Sequence, residues 1–489
     1  MKKINLLLLM SLIFGVVALN SCKDDPEQVT PDAPSVSAPS SASTVEAGQS
    51  VDVSFTINVP GGYASASAAA QGGSASVTSE PSAGATSGTV VVAFTAGTTG
   101  GAASVTLTVK DANQKSDNAT AVLSVNEEET EISVNANISE NTTWETGKVY
   151  ILESRIAVLD GVTLTIEPGV VVKGEAGTGS NATALIIARG AKIMAEGTAE
   201  SPIIFTSVAD EIMPGEIASP NLDPTLSGLW GGLLVLGKAH ISGDSESLQI
   251  EGIPPSDQNG LYGGTDDSDD SGVLKYVSIR HGGANIGEGN EINGLTLGGV
   301  GSETTIENIE IVSNQDDGIE WFGGTVNVKN VVVWNTGDDA VDTDQAFAGT
   351  LDNFVIINPG DECFELDGPE GAYTGAGHTL KNGTVLVGNA SGLIDFDDNT
   401  DVNMMNIYFA ALSAEGGQDV EGYEGYAANT NGFASSGFEV TLPAGIGLTA
   451  VFAGGADAIT SVVAEGAATV GADLTPFAGW SWAAVATQF

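Results

Sequence analysis

At 489 residues the chain exceeds what one compact core holds, so two or more units are expected. Glycine supplies 64 residues, aromatics 6% and apolar residues 42%, which suits a turn-rich all-β protein and excludes a disordered one. With 63 acids against 15 bases the formal charge is −48, which excludes nucleic acid and anionic headgroups as surface partners and makes cations, or partners bridged by cations, the natural counterpart.

Residues 1–21 read as an export signal. Lys2 and Lys3 form a basic start, and Leu6–Leu19 is an apolar run too short and wrongly flanked for a transmembrane helix. It ends in Leu19-Asn20-Ser21-Cys22, which resembles the bacterial lipobox, although Asn20 departs from the commonest form. That resemblance implies acylation of Cys22. The following Lys23-Asp24-Asp25 resembles the signal that sends lipoproteins of Bacteroidota to the outer face of the outer membrane, implying a lipid-anchored protein exposed on the cell surface. Each buried CH₂ of an acyl chain contributes about 0.8 kcal/mol, so a multiply acylated cysteine anchors essentially permanently. Cys363 is the other cysteine, and an acylated Cys22 leaves it no partner within the chain.

Residues 22–36, with Pro26, Pro31 and Pro34 among polar residues, read as a tether. From 37 to 127 short alternating runs appear, as in Val51-Asp52-Val53-Ser54-Phe55-Thr56-Ile57, separated by Gly, Pro and Ser turns. The pattern predicts a small immunoglobulin-like β-sandwich acting as a spacer. Glu127-Glu128-Glu129 marks its end.

From 130 to 489 the β-runs become short and are broken at Gly or Pro-Gly corners. Residues 164–174 (LTIEPGVVVKG) and 185–207 (LIIARGAKIMAEGTAESPIIFTS) resemble a block in surface β-helix proteins of Bacteroidota. The resemblance implies a right-handed parallel β-helix and supplies no activity. Two insertions, at about 208–228 and 253–272, interrupt the rungs. The second carries Asp266-Asp267-Ser268-Asp269-Asp270, oxygen-rich enough to wrap Ca²⁺ but also readable as a solvated loop. Residues from about 438 to 489 return to β-like runs and are expected to cap the open end of the solenoid.

The most regular stretch is 304–397. Aligning Ile319, Val341, Phe364 and Ile394 gives intervals of 22, 23 and 30 residues, the period of a β-solenoid rung. Glu320, Asp342, Glu365 and Asp395 then fall in one column, and Asp344, Asp367 and Asp397 in another. A fainter rung precedes them, with Asn293-Gly294-Leu295 in the places of Asp317-Gly318-Ile319. Rungs lie about 4.8 Å apart. Like charges at that spacing repel by about 0.9 kcal/mol in water and about 3.5 kcal/mol at an effective dielectric near 20. Alternation with the apolar column turns the acids outward, where solvent makes the repulsion tolerable. If the face is sheltered, protons or cations must relieve it. Asp317, Glu320, Asp339, Asp342, Glu362, Glu365 and Asp367 are therefore candidate ligands for Ca²⁺.

A catalytic reading rests on a narrower resemblance. Gly337-Asp338-Asp339 resembles the Gly-Asp-Asp element of inverting pectin hydrolases, and Asp316-Asp317 could supply the opposing carboxylate from the neighbouring rung. The Gly-His-Gly and Arg-Ile-Lys elements of those enzymes are missing. A lyase needs Ca²⁺ plus a basic residue, for which Lys275, Arg280, Lys329 and Lys381 are available. Lys329 and Lys381 adjoin Asn330 and Asn382, which read as a stacked amide ladder, and the lysines as relief for acidic charge. Trp321 is the candidate platform for a sugar ring, Trp334 reads as core or half-buried, and Cys363 as a small core filler. The leading expectation is non-enzymatic binding of a glycan or protein partner through the acidic face, Ca²⁺-dependent or not. A polysaccharide hydrolase or lyase, and a structural surface or adhesin component, are the alternatives.

Overall fold

The computed structural model describes residues 29–127, 129–286, 292–429 and 432–489. The export signal, Cys22 and the first part of the tether lie outside the described residues. The chain divides into two compact units, Met1–Glu128 and Glu129–Phe489.

In the first unit, alternation does the organising. The strand Ser50–Asn58 buries Val53, Phe55 and Ile57 and exposes the residues between them. It belongs to a four-stranded sheet with Ser35–Ser37, Ser87–Ala96 and Gly73–Ser79. Strands Ser43–Glu46, Ser116–Asn126, Gly101–Asp111 and Tyr63–Gln71 make a second sheet of four. Both feed one apolar core, in which Phe55 and Phe94 from the first meet Val105, Leu107 and Leu123 from the second.

The second unit is a parallel β-helix. Its narrow sheet stacks nine short strands in chain order, among them Leu295–Gly298, Ile319–Phe322, Val341–Asp344, Glu365–Leu366 and Ile394–Phe396. Leu295 pairs with Ile319, Ile319 with Val341, Asp342 with Glu365, and Glu365 with Asp395, which is the register of the sequence repeat. A 15-stranded sheet completes the coils. Its long central strands each bend once. Gly272–Arg280 pairs with Lys192–Glu196 before the bend and with Ile203–Ser207 after it, so one strand spans two faces of the coil.

The bend residues are Tyr276, Asn308, Asn330, Asn353, Asn382 and Asn406, all at φ between 50° and 65°. Asparagine tolerates this left-handed backbone better than other residues with a Cβ. Here it also stacks: Asn330 Nδ2 donates to Asn308 Oδ1 at 2.9 Å, Asn353 Nδ2 to Asn330 Oδ1 at 2.8 Å, and Asn406 Nδ2 to Asn382 Oδ1 at 3.2 Å. The amide ladder expected at Asn330 and Asn382 is present in two segments, because Asn382 Nδ2 donates to Asp352 Oδ1 at 2.7 Å and not to Asn353. Beside it runs a column of alternating charge, Lys275, Glu307, Lys329, Asp352 and Lys381 in register. Lys275 reaches Glu307 at 2.8 Å and Lys381 reaches Asp352 at 3.6 Å.

The tail divides in two. Ser436–Val440 and Thr460–Val462 add two further rungs, closed inside by Phe438 and Phe452. Beyond them the chain turns back along the outside of the wide sheet. Asp473 N donates to Asn353 Oδ1 at 2.7 Å, and Ala483 N donates to Glu310 Oε1 at 2.9 Å. Trp482 packs edge-on against Trp334 and lies over Arg280, whose guanidinium carbon is 5.0 Å from the ring centroid. The cap expected at 438–489 is thus two rungs followed by a strap.

Candidate cation site on the acidic ladder

On the narrow sheet, residues alternate in and out. Ile319 and Trp321 point into the coil, so Glu320 and Phe322 point out. The outward column reads Ala157, Ile186, Leu234, Thr296, Glu320, Asp342, Glu365, Asp395 and Glu421 down successive rungs. It changes from apolar to acidic halfway along the molecule. The apolar half is covered by an insertion whose Ile241, Ile250, Ile253 and Tyr262 pack on Ile186, Leu234 and Phe322. Tyr262 Oη donates to Gln345 Oε1 at 2.9 Å, and Gln345 Nε2 donates to Glu370 at 3.0 Å, pinning the insertion to the next two turns.

The acidic half departs from the expectation of a solvated face. Asp317, Glu320, Asp339 and Asp342 are only 8%, 3%, 4% and 7% exposed. Glu362, Glu365 and Asp367, further from the insertion, are half-buried. The acceptor atoms of Asp317, Glu320 and Asp342 lie within 4.8 Å of one another, and so do those of Asp316, Asp317 and Asp338. Asp317 belongs to both groups. Close stacking of the rungs depends on Gly318, where a Cβ would come within 2.6 Å of Ala340 O.

Backbone and amide N–H groups of neighbouring rungs reach several of the carboxylates. Asp339 N donates to Asp317 Oδ1 at 3.0 Å and Glu362 N to Asp339 Oδ1 at 2.6 Å, which repeats one contact from rung to rung. Asn293 Nδ2 donates to Glu320 Oε2. Asp342 Oδ1 and Asn293 Oδ1 are buried and find no hydrogen-bond partner among the described residues. Among the described residues no Lys, Arg or His forms an ion pair with Asp317, Glu320, Asp339 or Asp342.

The protonation equilibria follow. Burial, then Asp316, raises Asp317 well above the ordinary carboxylate range, and burial with Asp342 and Asp317 does the same to Glu320. Asp342 is raised by burial and by Asp317. Burial and a hydrogen bond shared with Glu365 push Asp339 up to about 11. Where cover thins the shifts shrink: burial and neighbouring acids bring Asp344 and Glu362 to about 7, and Asp367 to about 6. Such a cluster is stable with protons shared between carboxyls or with a cation among them. Its oxygen-only donor set, with Asn293 Oδ1 adding a neutral ligand, has the chemistry that Ca²⁺ prefers.

The other candidates separate from this site. Trp321 is fully buried and stacked on Phe347 at 5.1 Å between centroids, so it is core and not a sugar platform. It sits two residues after Ile319, a spacing that already places it inside. Trp334 faces out but lies beneath the strap, and Cys363 is buried in the coil. In the Asp266–Asp270 loop the side chains diverge, Asp267 to His240 at 2.8 Å and Asp270 to Lys192 at 2.5 Å, so they wrap no common point. Of the four acids considered for catalysis, Asp317 and Asp339 are buried and bound to backbone N–H groups; Asp316 and Asp338 are the solvent-facing pair. The acceptor atoms of Asp316, Asp317 and Asp338 are closer together than the separation of about 6.5–9.5 Å that an inverting hydrolase needs. Lys329 lies on the wide sheet between Glu307 and Asp352, on a different face of the coil from the ladder. Asn293 is a further candidate ligand that sequence reasoning left out, although its alignment with Asp317 pointed to it.

Coils of this kind define a parallel β-helix protein with an acidic, sheltered ladder. Residues 136–441 match the model of the pectate-lyase-like β-helix domain, and the chain belongs to that family. Among solved structures it is similar to the catalytic unit of a thermostable GH87 α-1,3-glucanase from Streptomyces thermodiastaticus, at 13% identity over 84% of this chain and 87% of that one, with a TM-score of 0.27. It is also similar to a family 28 exopolygalacturonase from Yersinia enterocolitica, at 11% identity over 85% and 88%, with a TM-score of 0.20. No curated protein matches the chain. Neither structural likeness carries a substrate or a catalytic residue over to it.

Proposed function

We propose that this protein is a lipid-anchored binding protein of the bacterial cell surface, not an enzyme, whose ladder holds Ca²⁺ and so fixes the face that meets a glycan or protein partner. The observation that carries the reading is the convergence of Asp317, Glu320 and Asp342 within 4.8 Å, buried and without an ion pair to a cationic side chain among the described residues. Carboxylates 3–8% exposed offer a polymer little surface to touch, whereas converging oxygens are the donor set of a single ion. Asp317, Glu320, Asp342 and Asn293 would hold the first ion. Asp316 and Asp338 would complete a second, more open position with Asp317. Acylation at Cys22 and export to the outer face of the outer membrane belong to the same reading and rest on the sequence signals.

Calcium titration of residues 23–489 by calorimetry, before and after chelation, tests the ion. Saturable binding that disappears in Asp342→Asn is the expected result. The same protein incubated with acidic and neutral polysaccharides is expected to release no new chain ends. Cleavage lost in Asp338→Asn would overturn the reading and make the open half of the ladder an active site. Absence of any saturable ligand, with calcium bound, would leave a structural surface component.

A further inference from the structure

A second site lies away from the ladder, where the same insertion meets the opening rungs of the coil. It is a cavity of about 480 Å³ whose wall includes Asp160, Arg189, Lys238, Glu246, Asn259 and Asp266. Arg189 is the informative residue. Of the three arginines, Arg155 reaches Asp257 at 3.0 Å and Arg280 reaches Glu310 at 3.5 Å, but Arg189 forms no ion pair among the described residues. Its Nη1 donates instead to Gly263 O at 2.9 Å, which fixes the guanidinium in the cavity wall. In a chain with 63 acids, an arginine held on a backbone carbonyl retains N–H donors for something else.

The wall is built to stay open. Gly190 stands at φ +90°, and a Cβ there would lie 2.1 Å from Asp160 Oδ1 and 2.5 Å from Lys238 Nζ. Gly190 leaves that point free for these two side chains. They pair loosely, at 3.9 Å, and remain largely exposed. Asn259 is held by Asp257, which accepts from Arg155 and from Asn259 Nδ2 at 2.9 Å and so leaves Asn259 Oδ1 as an acceptor.

We infer that this cavity binds an uncharged, hydroxyl-rich saccharide end of about one or two residues. Both donors (Arg189, Lys238) and acceptors (Asp160, Glu246, Asp266, Asn259) line it, and a sugar hydroxyl both donates and accepts. A free anion meets the field of a chain of formal charge −48, and a cation meets Arg189 and Lys238. A volume of about 480 Å³ is at the lower end of known small-ligand sites, the scale of one or two pyranose rings. The inference rests on the glycan branch of the proposed function but not on the calcium ladder.

The test uses residues 23–489 and di- to tetrasaccharides of neutral hexoses and pentoses, with uronate oligosaccharides as the acidic arm, followed by saturation-transfer NMR and calorimetry. Asp160→Asn and Lys238→Met alter exposed side chains and leave the Arg189 anchor in place. Binding of a neutral oligosaccharide that weakens about tenfold or more in both variants, with unchanged melting, is expected. Binding unaffected by these changes but lost in Asp317→Asn would put the sugar on the ladder, overturning this site and not the proposed function. Preference for uronates, or no saccharide bound, would also overturn it; a protein partner found on the ladder would still stand.

Discussion

Replacing Asp342 by asparagine removes a charge while preserving shape, which makes it the sharpest probe of the ladder. In chelator at pH 8 the native side chain must either ionise beside Glu320 and Asp317 or hold a proton against solution, and both cost stability. Asp342→Asn is therefore expected to melt about 2–4 °C or more above the native protein in chelator, and to lose the stabilisation that calcium gives. Differential scanning calorimetry reads both. The pH dependence follows from the same groups. An unfolded chain titrates these carboxyls near about 4, whereas the folded protein holds Asp344 and Glu362 at about 7 and Asp367 at about 6. Across that interval the folded state binds more protons, so their contribution is fully present below about pH 4 and is lost as pH rises to about 7. Chelated protein is expected to melt progressively lower from pH 4 to 7, with saturating Ca²⁺ flattening or reversing the slope. A melting temperature that rises over this interval in chelator would contradict the burial of the ladder.

At the scale of the element, the bends and the charge column hold the rungs in register. Asn330 gives one amide bond to Asn308 and takes one from Asn353, and adopts φ 58°. Asn330→Ala loses both contacts and keeps the strained backbone, so a loss of about 2–4 kcal/mol in urea unfolding is expected. Lys329→Glu would set three acids in consecutive rungs with Glu307 and Asp352, where opposite charges now alternate. Lower stability that recovers in high salt is the expected outcome, because screening acts on exposed pairs. Both devices were legible in the chain as Glu307-Asn308, Lys329-Asn330, Asp352-Asn353 and Lys381-Asn382. The ladder's columns were legible for the same reason: strand alternation and rung period are local properties that a repeat displays directly.

For the β-helix unit as a whole, the strap ties distant turns together. It covers Val312, Trp334 and Ile357 together with the Arg280–Glu310 pair, which is completely removed from solvent. Ending the chain at residue 470 would uncover this apolar strip and the buried charges. We expect retained β-sheet circular dichroism, new binding of a hydrophobic dye and a markedly lower melting temperature. Unchanged melting would mean the strap is only a surface ornament.

What the sequence determined by itself was periodic: the coil, the register of Ile319, Val341, Phe364 and Ile394, the inward and outward columns, and the asparagine corners. These depend on neighbours one rung away, and every rung repeats the instruction. The tertiary structure decided what covers each column. The 241–262 insertion lies some 60 to 80 residues before Phe322, on which it packs beside Glu320, and the strap returns across about 150 to 170 residues to reach Trp334 and Glu310. Neither segment belongs to the repeat, so no period announces where it lands. Burial sets whether a row of carboxylates is a solvated surface or a cluster that demands protons or a cation, and here burial comes from chain far away in sequence.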